Sequence, residues 1–260
     1  MRSSDPWRAG AGAGAEGGAD QQGLSSHKYL QELDIPENKN ASRDFCMSPV
    51  GRETCKFTHD LWTNRTVDIL QKEASRQHAD AAKGEDTKPF FIYLSYTDPH
   101  AGGWKAQDES GNPVPDDFQF DNTSWPDVER DHASVIANYM DRDVGRIADL
   151  IDSLGLSENT LVMFASDNGA HSEGGHDYRF FDSSGPHRSY KRSLYEGGIR
   201  TPAIARWKGT TPAGGTSDLV WAFWDFMPTV AELAGLGRGA YPSDIDGTSI
   251  APTLLGKADK

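Results

Sequence analysis

The sequence predicts an α/β fold, a mostly parallel sheet flanked by helices on both faces. Three observations carry that expectation. Two apolar, β-prone runs, residues 89–96 and 161–166, each suit a strand buried on both sides. Between them lies a long stretch with helical apolar periodicity, stopped by Gly155. Strand, helix and strand in that order make the unit from which parallel sheets are built.

Residues 1–27 are low in complexity and cannot bury enough apolar surface to offset their ordering entropy, so a disordered head is expected. Residues 28–57 are polar and irregular, and residues 58–260 form the folded domain. Thr58 is placed to cap a helix reaching about Gln77, with Trp62, Thr66, Ile69 and Leu70 on one face. The run Pro89-Phe90-Phe91-Ile92-Tyr93-Leu94-Ser95-Tyr96 follows and ends at Asp98-Pro99-His100. A Gly-, Pro- and Asp-rich loop then leads to the longest helix, 128–154, whose apolar face includes Val135, Tyr139, Ile147 and Ile151.

After the strand at 161–166 comes a long loop rich in Gly, His and Ser, then a short strand within 201–207. Asp225 begins a helix with Pro228 in its first turn, running to about Leu233 before Gly235. The neighbouring aromatics Trp221, Phe223, Trp224 and Phe226 are expected in the core, since large aromatics dominate burial.

A chain of 260 residues is long enough for one substantial domain. Its net charge of -13 argues against a general binder of nucleic acid or anionic membranes, and any anion site has to be built from local cations. No apolar run approaches the roughly 20 residues of a membrane span. The first residues lack the apolar core of a secretion signal. Cys46 and Cys55 leave both a small disulfide loop and two free thiols open.

The chemistry gathers where strands end. Leu161-Val162-Met163-Phe164-Ala165-Ser166 runs straight into Asp167-Asn168-Gly169. Open α/β sheets place ligands just past the carboxyl ends of their strands. Two adjacent oxygen donors there suit a hard cation such as Ca²⁺ or Mg²⁺, and the alternative is a plain Asx turn. His100 ends the other strong strand and is expected on the same sheet edge, able to donate to a substrate oxygen or protonate a leaving group. Lys191 offers a compact charge for a non-bridging oxygen. Arg188, Arg192 and Arg200 could add positive field near Lys191, and most of them are expected to be solvated or paired with acids. His171, Glu173 and His176 lack the helical framing of a zinc motif and read as a substrate-facing loop.

With those residues in place, the stretches 89–100, 159–169 and 191–207 resemble successive blocks of the sulfatase family, within the alkaline-phosphatase-like superfamily. Phe223-Trp224-Asp225-Phe226-Met227-Pro228-Thr229 and Asp246-Gly247-Thr248-Ser249 resemble the blocks that follow. The block Lys191-Arg192-Ser193-Leu194-Tyr195-Glu196-Gly197-Gly198 is the most specific of them. The resemblance implies a sulfuric ester hydrolase acting on aryl or carbohydrate sulfate monoesters. It implies Asp167 and Asn168 as ligands of one Ca²⁺, and His100 and Lys191 as contacts to the sulfate, with His100 a candidate proton donor. It further implies a secreted, periplasmic or lysosomal setting.

Members of that family use a formylglycine nucleophile made from Cys or Ser in Cys/Ser-x-Pro-x-Arg, whose hydrate attacks sulfur. Cys46-Met47-Ser48-Pro49 has its proline one place late, and Ser4-Asp5-Pro6-Trp7-Arg8 matches only as short motifs do by accident. No nucleophile is assigned, and the expectation is a domain lacking its N-terminal part, with an incomplete calcium site. Two alternatives stand beside the enzyme: a non-catalytic sulfatase remnant that binds anions, and a phosphoesterase of the same superfamily. The second would be favoured by Asp-His in place of Asp167-Asn168.

Overall fold

The structure is a computed structural model that describes residues 57–101, 111–112 and 114–257. The expected head at 1–27, nearly all of the irregular segment at 28–57, both cysteines and Ser4 lie outside the described residues.

Helix α1 spans Thr58–Lys83, longer than its apolar pattern indicates. Beyond Gln77 the helix formers Ala79, Ala81, Ala82 and Lys83 sustain it, and Gly84 ends it at φ 72°. Phe57, rather than Thr58, takes the capping position. The inward face is His59, Thr63, Thr66, Leu70 and Ala74, which turns Trp62 out to 39% exposure. Helix α2, Asp127–Ser134, and helix α3, Arg142–Ser153, form the expected long helix, joined through a π-helical stretch at Val135–Asp141. Gly155 stops it at φ 72° while Leu156 donates back to the Ile151 carbonyl.

The core is Leu70, Ala74, Ile151 and Leu156, with Phe90, Ile92, Ile147 and Val162 packed against it. It joins α1, α3, the extended 89–96 segment and strand β1, Val162–Ala165. Strand β2, Ala203–Arg206, pairs with β1 in antiparallel register, Val162 opposite Arg206 and Ala165 opposite Ala203.

The mostly parallel sheet is therefore not what the described residues form. The chain between β1 and β2 folds back as a closed loop instead of crossing over through a long helix. Its only helix is the one-turn α4, Glu196–Ile199, and Gly169 N donates to Gly198 O at 3.0 Å, tying the loop's two ends. A parallel pair needs a crossover of a dozen or so residues to reach the far strand end. The 89–96 run joins no strand ladder among the described residues and buries one side only. Phe90 and Ile92 pack inward, while Phe91 and Tyr93 are 74% and 83% exposed.

Helix α5, Phe226–Leu233, begins where Asp225 and Pro228 place it, and Gly235 follows at φ 71°. The Asp225 carboxylate accepts from Ala222 N and Thr248 N, each at 2.8 Å, so it ties the 248–250 segment and α6, Ala251–Leu254, to the start of α5, and it makes no side-chain capping bond to α5 itself. Phe223 and Trp224 are more than half exposed, against the expectation of a core cluster.

One polar group is buried in the heart of the fold. His59 Nδ1 lies 3.2 Å from Asp98 and its Nε2 3.3 Å from Asp143, with all three side chains at most 1% exposed. Tyr96 stacks on the imidazole at 4.1 Å and shares a 2.6 Å hydrogen bond with Thr63. This fixes the turn in which the extended segment ends, two residues before His100. No helix among the described residues is long and apolar enough to cross a membrane.

Candidate functional site

His100 closes the turn after the extended segment, its N–H donating to Thr97 O at 3.0 Å and its side chain half exposed. Lys191 enters from the loop after β1, where its N–H donates to Ala170 O at 2.6 Å. Both meet one carboxylate. Glu173 Oε2 is 3.3 Å from Lys191 Nζ and 3.5 Å from His100 Nε2, and Arg192 Nη2 reaches Glu173 Oε1 at 2.5 Å. Burial raises the Glu173 pKa, but the charges of Lys191 and Arg192 outweigh it and hold the carboxyl below its ordinary range. A cavity of about 280 Å³ opens beside this group, lined by Ser172, Glu173, Ser189, Tyr190, Lys191, Arg192 and Ser193.

The structure brings His100 and Lys191 onto one carboxylate, a residue that sequence reasoning missed as what joins them. Sequence reasoning placed Glu173 on a substrate-facing loop without seeing it as the hub. Asp167, Glu173, Asp177 and Asp182 all stand between β1 and Lys191, and nothing local marks Glu173 as the one that returns to Lys191-Arg192.

Asp167 and Asn168 follow β1 directly, as expected, and Asp167 is exposed. The Asn168 amide donates to Gly169 O at 2.9 Å. Backbone contacts tie this turn to the Lys191 loop. A Cβ at Gly169 would lie 2.0 Å from Gly197 O, and one at Gly197 would lie 2.0 Å from Ser189 O. Only glycine allows such an approach. As a donor set for calcium, the pair fits in kind and falls short in number. Carboxylate and amide oxygens are hard ligands, but Ca²⁺ takes about six to eight. The described residues contain no group of three or more His, Cys, Asp or Glu side chains that would hold a metal.

His171 and His176 face inward, which corrects their reading as a substrate-facing pair; they are 7% and 4% exposed. His176 Nδ1 donates to Glu129 Oε2 at 2.5 Å, and Glu129 Oε1 accepts from Asp177 N at 3.0 Å. The Glu173 N–H donates to His171 Nδ1 at 3.2 Å, which leaves Nε2–H to donate to Pro99 O at 3.0 Å. Asn112 donates to the same carbonyl at 3.1 Å and lies 2.7 Å from His132, whose ring stacks on His176 at 3.8 Å. Glu173 thus rides on a backbone pinned to α2 on one side and to the His100 turn on the other.

Burial pushes His171 down to about 4 from an ordinary 6.5, so the folded chain keeps it neutral where the unfolded chain protonates it. The contribution to stability is complete above 6.5 and is lost as pH falls toward 4. In urea titrations the loss is expected to approach about 1.4 kcal/mol per pH unit across that window. A His171→Gln chain should show a shallower dependence there, and an unchanged slope would clear His171 of the effect. His59 works with the opposite sign. Burial opposes its charge, but Asp143 and Asp98 outweigh burial and raise its pKa, so its contribution is full below 6.5 and fades as pH rises through the folded value. The two windows do not overlap.

A family model, Sulfatase, matches residues 24–236. The chain is 34% identical over 215 residues to N-acetylgalactosamine-6-sulfatase of Mus musculus, covering 80% of this chain and 35% of that protein. The enzyme of that name from Canis lupus familiaris is 37% identical over 203 residues, covering 75% and 32%. Steryl-sulfatase of Rattus norvegicus is 33% identical over 192 residues, covering 72% and 30%. The chain spans about a third of the length of the curated relatives it matches. Among solved structures, Ps i-CgsB superposes with a TM-score of 0.59 at 27% identity, over 78% of this chain and 39% of its own. The complex of that protein with k-i-k-neocarrahexaose gives the same TM-score at 25% identity.

Proposed function

The chain belongs to the sulfatase family, and from that premise we propose that the Lys191–His100 corner holds the sulfate group of an aryl or carbohydrate sulfate monoester. The observation that supports it most is the convergence of Lys191, Arg192 and His100 on a single carboxylate beside an open cavity. In a chain of net charge -13, a tight cluster of cations is an anion site built locally.

In this reading Lys191 Nζ donates to a non-bridging sulfate oxygen, and Arg192 adds charge and donors at the rim. His100, whose Nε2 lies 3.5 Å from the Glu173 carboxylate at the cavity wall, hands a proton to the departing alcohol oxygen. His171, neutral and locked to Pro99 O, keeps that turn in position. Asp167 and Asn168 would supply two of the oxygens for a Ca²⁺ ion, which when bound polarises the sulfate and the attacking oxygen. The nucleophile is assigned to no residue of this chain. The extended 89–96 segment, with Phe91 and Tyr93 outward, suits an interior strand of a larger, mostly parallel sheet. The rival reading, a non-catalytic anion-binding remnant, shares the cation cluster and differs only in turnover.

Calorimetric titration of the full chain with 4-nitrophenyl sulfate, and an assay for release of 4-nitrophenol with and without Ca²⁺, separate these readings. Lys191→Ala is expected to weaken sulfate-ester binding about ten- to a hundredfold, the loss of one charge-assisted hydrogen bond. Equal binding by the variant would remove the site from this corner. Binding without release of 4-nitrophenol would favour the remnant.

A further inference from the structure

Glu173 is unusual for a site that has to attract an anion. Its carboxylate sits between the two cations and the imidazole that the proposed sulfate pocket depends on, at 2.5, 3.3 and 3.5 Å from Arg192, Lys191 and His100. The Glu173 and Lys191 side chains are 10% and 16% exposed, so their contact is largely shielded from water, while His100 and Arg192 reach it from the exposed rim at 48% and 71%. Two carboxylate oxygens span much the same width as two non-bridging oxygens of a sulfate. The arrangement of donors around Glu173 is therefore the one a bound sulfate would meet.

The backbone beneath it has little room to move. His171 and His176 anchor the loop to Pro99 O and Glu129 on either side of Glu173. Gly174 O accepts from Gly111 N at 2.9 Å, and a Cβ at Gly174 would come within 2.9 Å of Ala101 Cβ. What is left to rotate is the Glu173 side chain, which borders the open cavity.

We propose that Glu173 is an internal competitor of the substrate: its carboxylate takes the place of the sulfate group between His100, Lys191 and Arg192 and swings aside when a sulfate monoester binds. This rests on the reading of the corner as a sulfate pocket and adds to it a residue that sets anion selectivity. An anion that cannot engage Lys191, Arg192 and His100 together does not repay the displacement of Glu173, whereas a sulfate with three acceptor oxygens does. The cost of displacing the carboxylate also keeps the cations from gathering unrelated anions.

The probe is inorganic sulfate, titrated calorimetrically into the full wild-type chain, Glu173→Gln and Lys191→Ala, with formate as a second, two-oxygen anion. The amide variant keeps the shape and loses the charge, so sulfate is expected to bind it about tenfold more tightly than wild type. Formate should gain more than sulfate, narrowing the preference between them. Should Glu173→Gln fail to fold, Glu173→Asp withdraws the carboxylate by one methylene and is expected to show a smaller gain in the same direction. Sulfate binding weakened by Lys191→Ala but not tightened by either Glu173 variant would overturn the competitor and leave the pocket standing. Sulfate binding indifferent to Lys191→Ala would overturn both.

Discussion

An Asp143→Ala chain is expected to lose about 3–5 kcal/mol of folding stability, the range for removing one partner of a buried charge group. Its carboxylate is fully buried and accepts from Thr63 Oγ1 at 2.9 Å and from Arg142 Nε at 2.7 Å, with His59 Nε2 at 3.3 Å. Burial pushes the Asp143 carboxyl up, but the hydrogen bonds from His59, Arg142 and Thr63 outweigh it, and it titrates well below the usual carboxylate range. Removing it leaves a buried imidazolium with Asp98 alone and half of its compensation gone. The cost is uncompensated charge, not lost packing, so Asp143→Asn should cost nearly as much as Asp143→Ala although it preserves the volume. Urea unfolding near neutral pH measures both. A loss below about 1 kcal/mol, the scale of an ordinary exposed pair, would mean the network is not the keystone described here.

Gly197→Ala is the second large effect. The new methyl carbon would lie 2.0 Å from Ser189 O and 2.6 Å from Arg188 O, backbone atoms that cannot rotate away. The Lys191 loop has to shift, and overpacking of this kind costs about 1–3 kcal/mol or more. Because Gly197 N also donates to Arg188 O at 2.9 Å, the shift moves the chain that carries Lys191 and Arg192. Sulfate binding should therefore fall together with the melting temperature. Gly145→Ala is the control: exposed on α3 with nothing within 4 Å of the added carbon, it should stabilise by about 0.5–1 kcal/mol and leave binding alone. A Gly197→Ala chain that melts and binds like wild type would show that the close approach does not position the site.

How much of this was legible in advance follows from how far apart the interacting residues lie. Gly155 stops α3, and Pro228 sits in the first turn of α5. Each of those signals acts within a few residues, through φ, a missing N–H or a side-chain period. The ends of α1 were misjudged because alanine-rich helix without an apolar face carries no inward stripe to read. His100, Lys191, Asp167 and Asn168 stood out through their positions after strands and through a resemblance, and the structure brings the first two onto one carboxylate. Glu173 was invisible as a hub because its partners, His100 on one side and Lys191-Arg192 on the other, come from two separate stretches of chain.

The sequence by itself determined the main helices and the two short strands, where most of them stop, and the family, and it singled out His100 and Lys191, since these rest on local periodicity, backbone constraints and motif blocks. It marked 89–96 as a strand, which joins no ladder among the described residues. Only the tertiary structure decided that β1 and β2 run antiparallel, that one side of 89–96 faces outward, and that His171 and His176 are buried anchors. It alone joined Glu129 to His176 across 47 residues and Thr63 to Asp143 across 80. Contacts at that range exist only once the chain has closed its loops, and their strength comes from the exclusion of water, which no local pattern encodes.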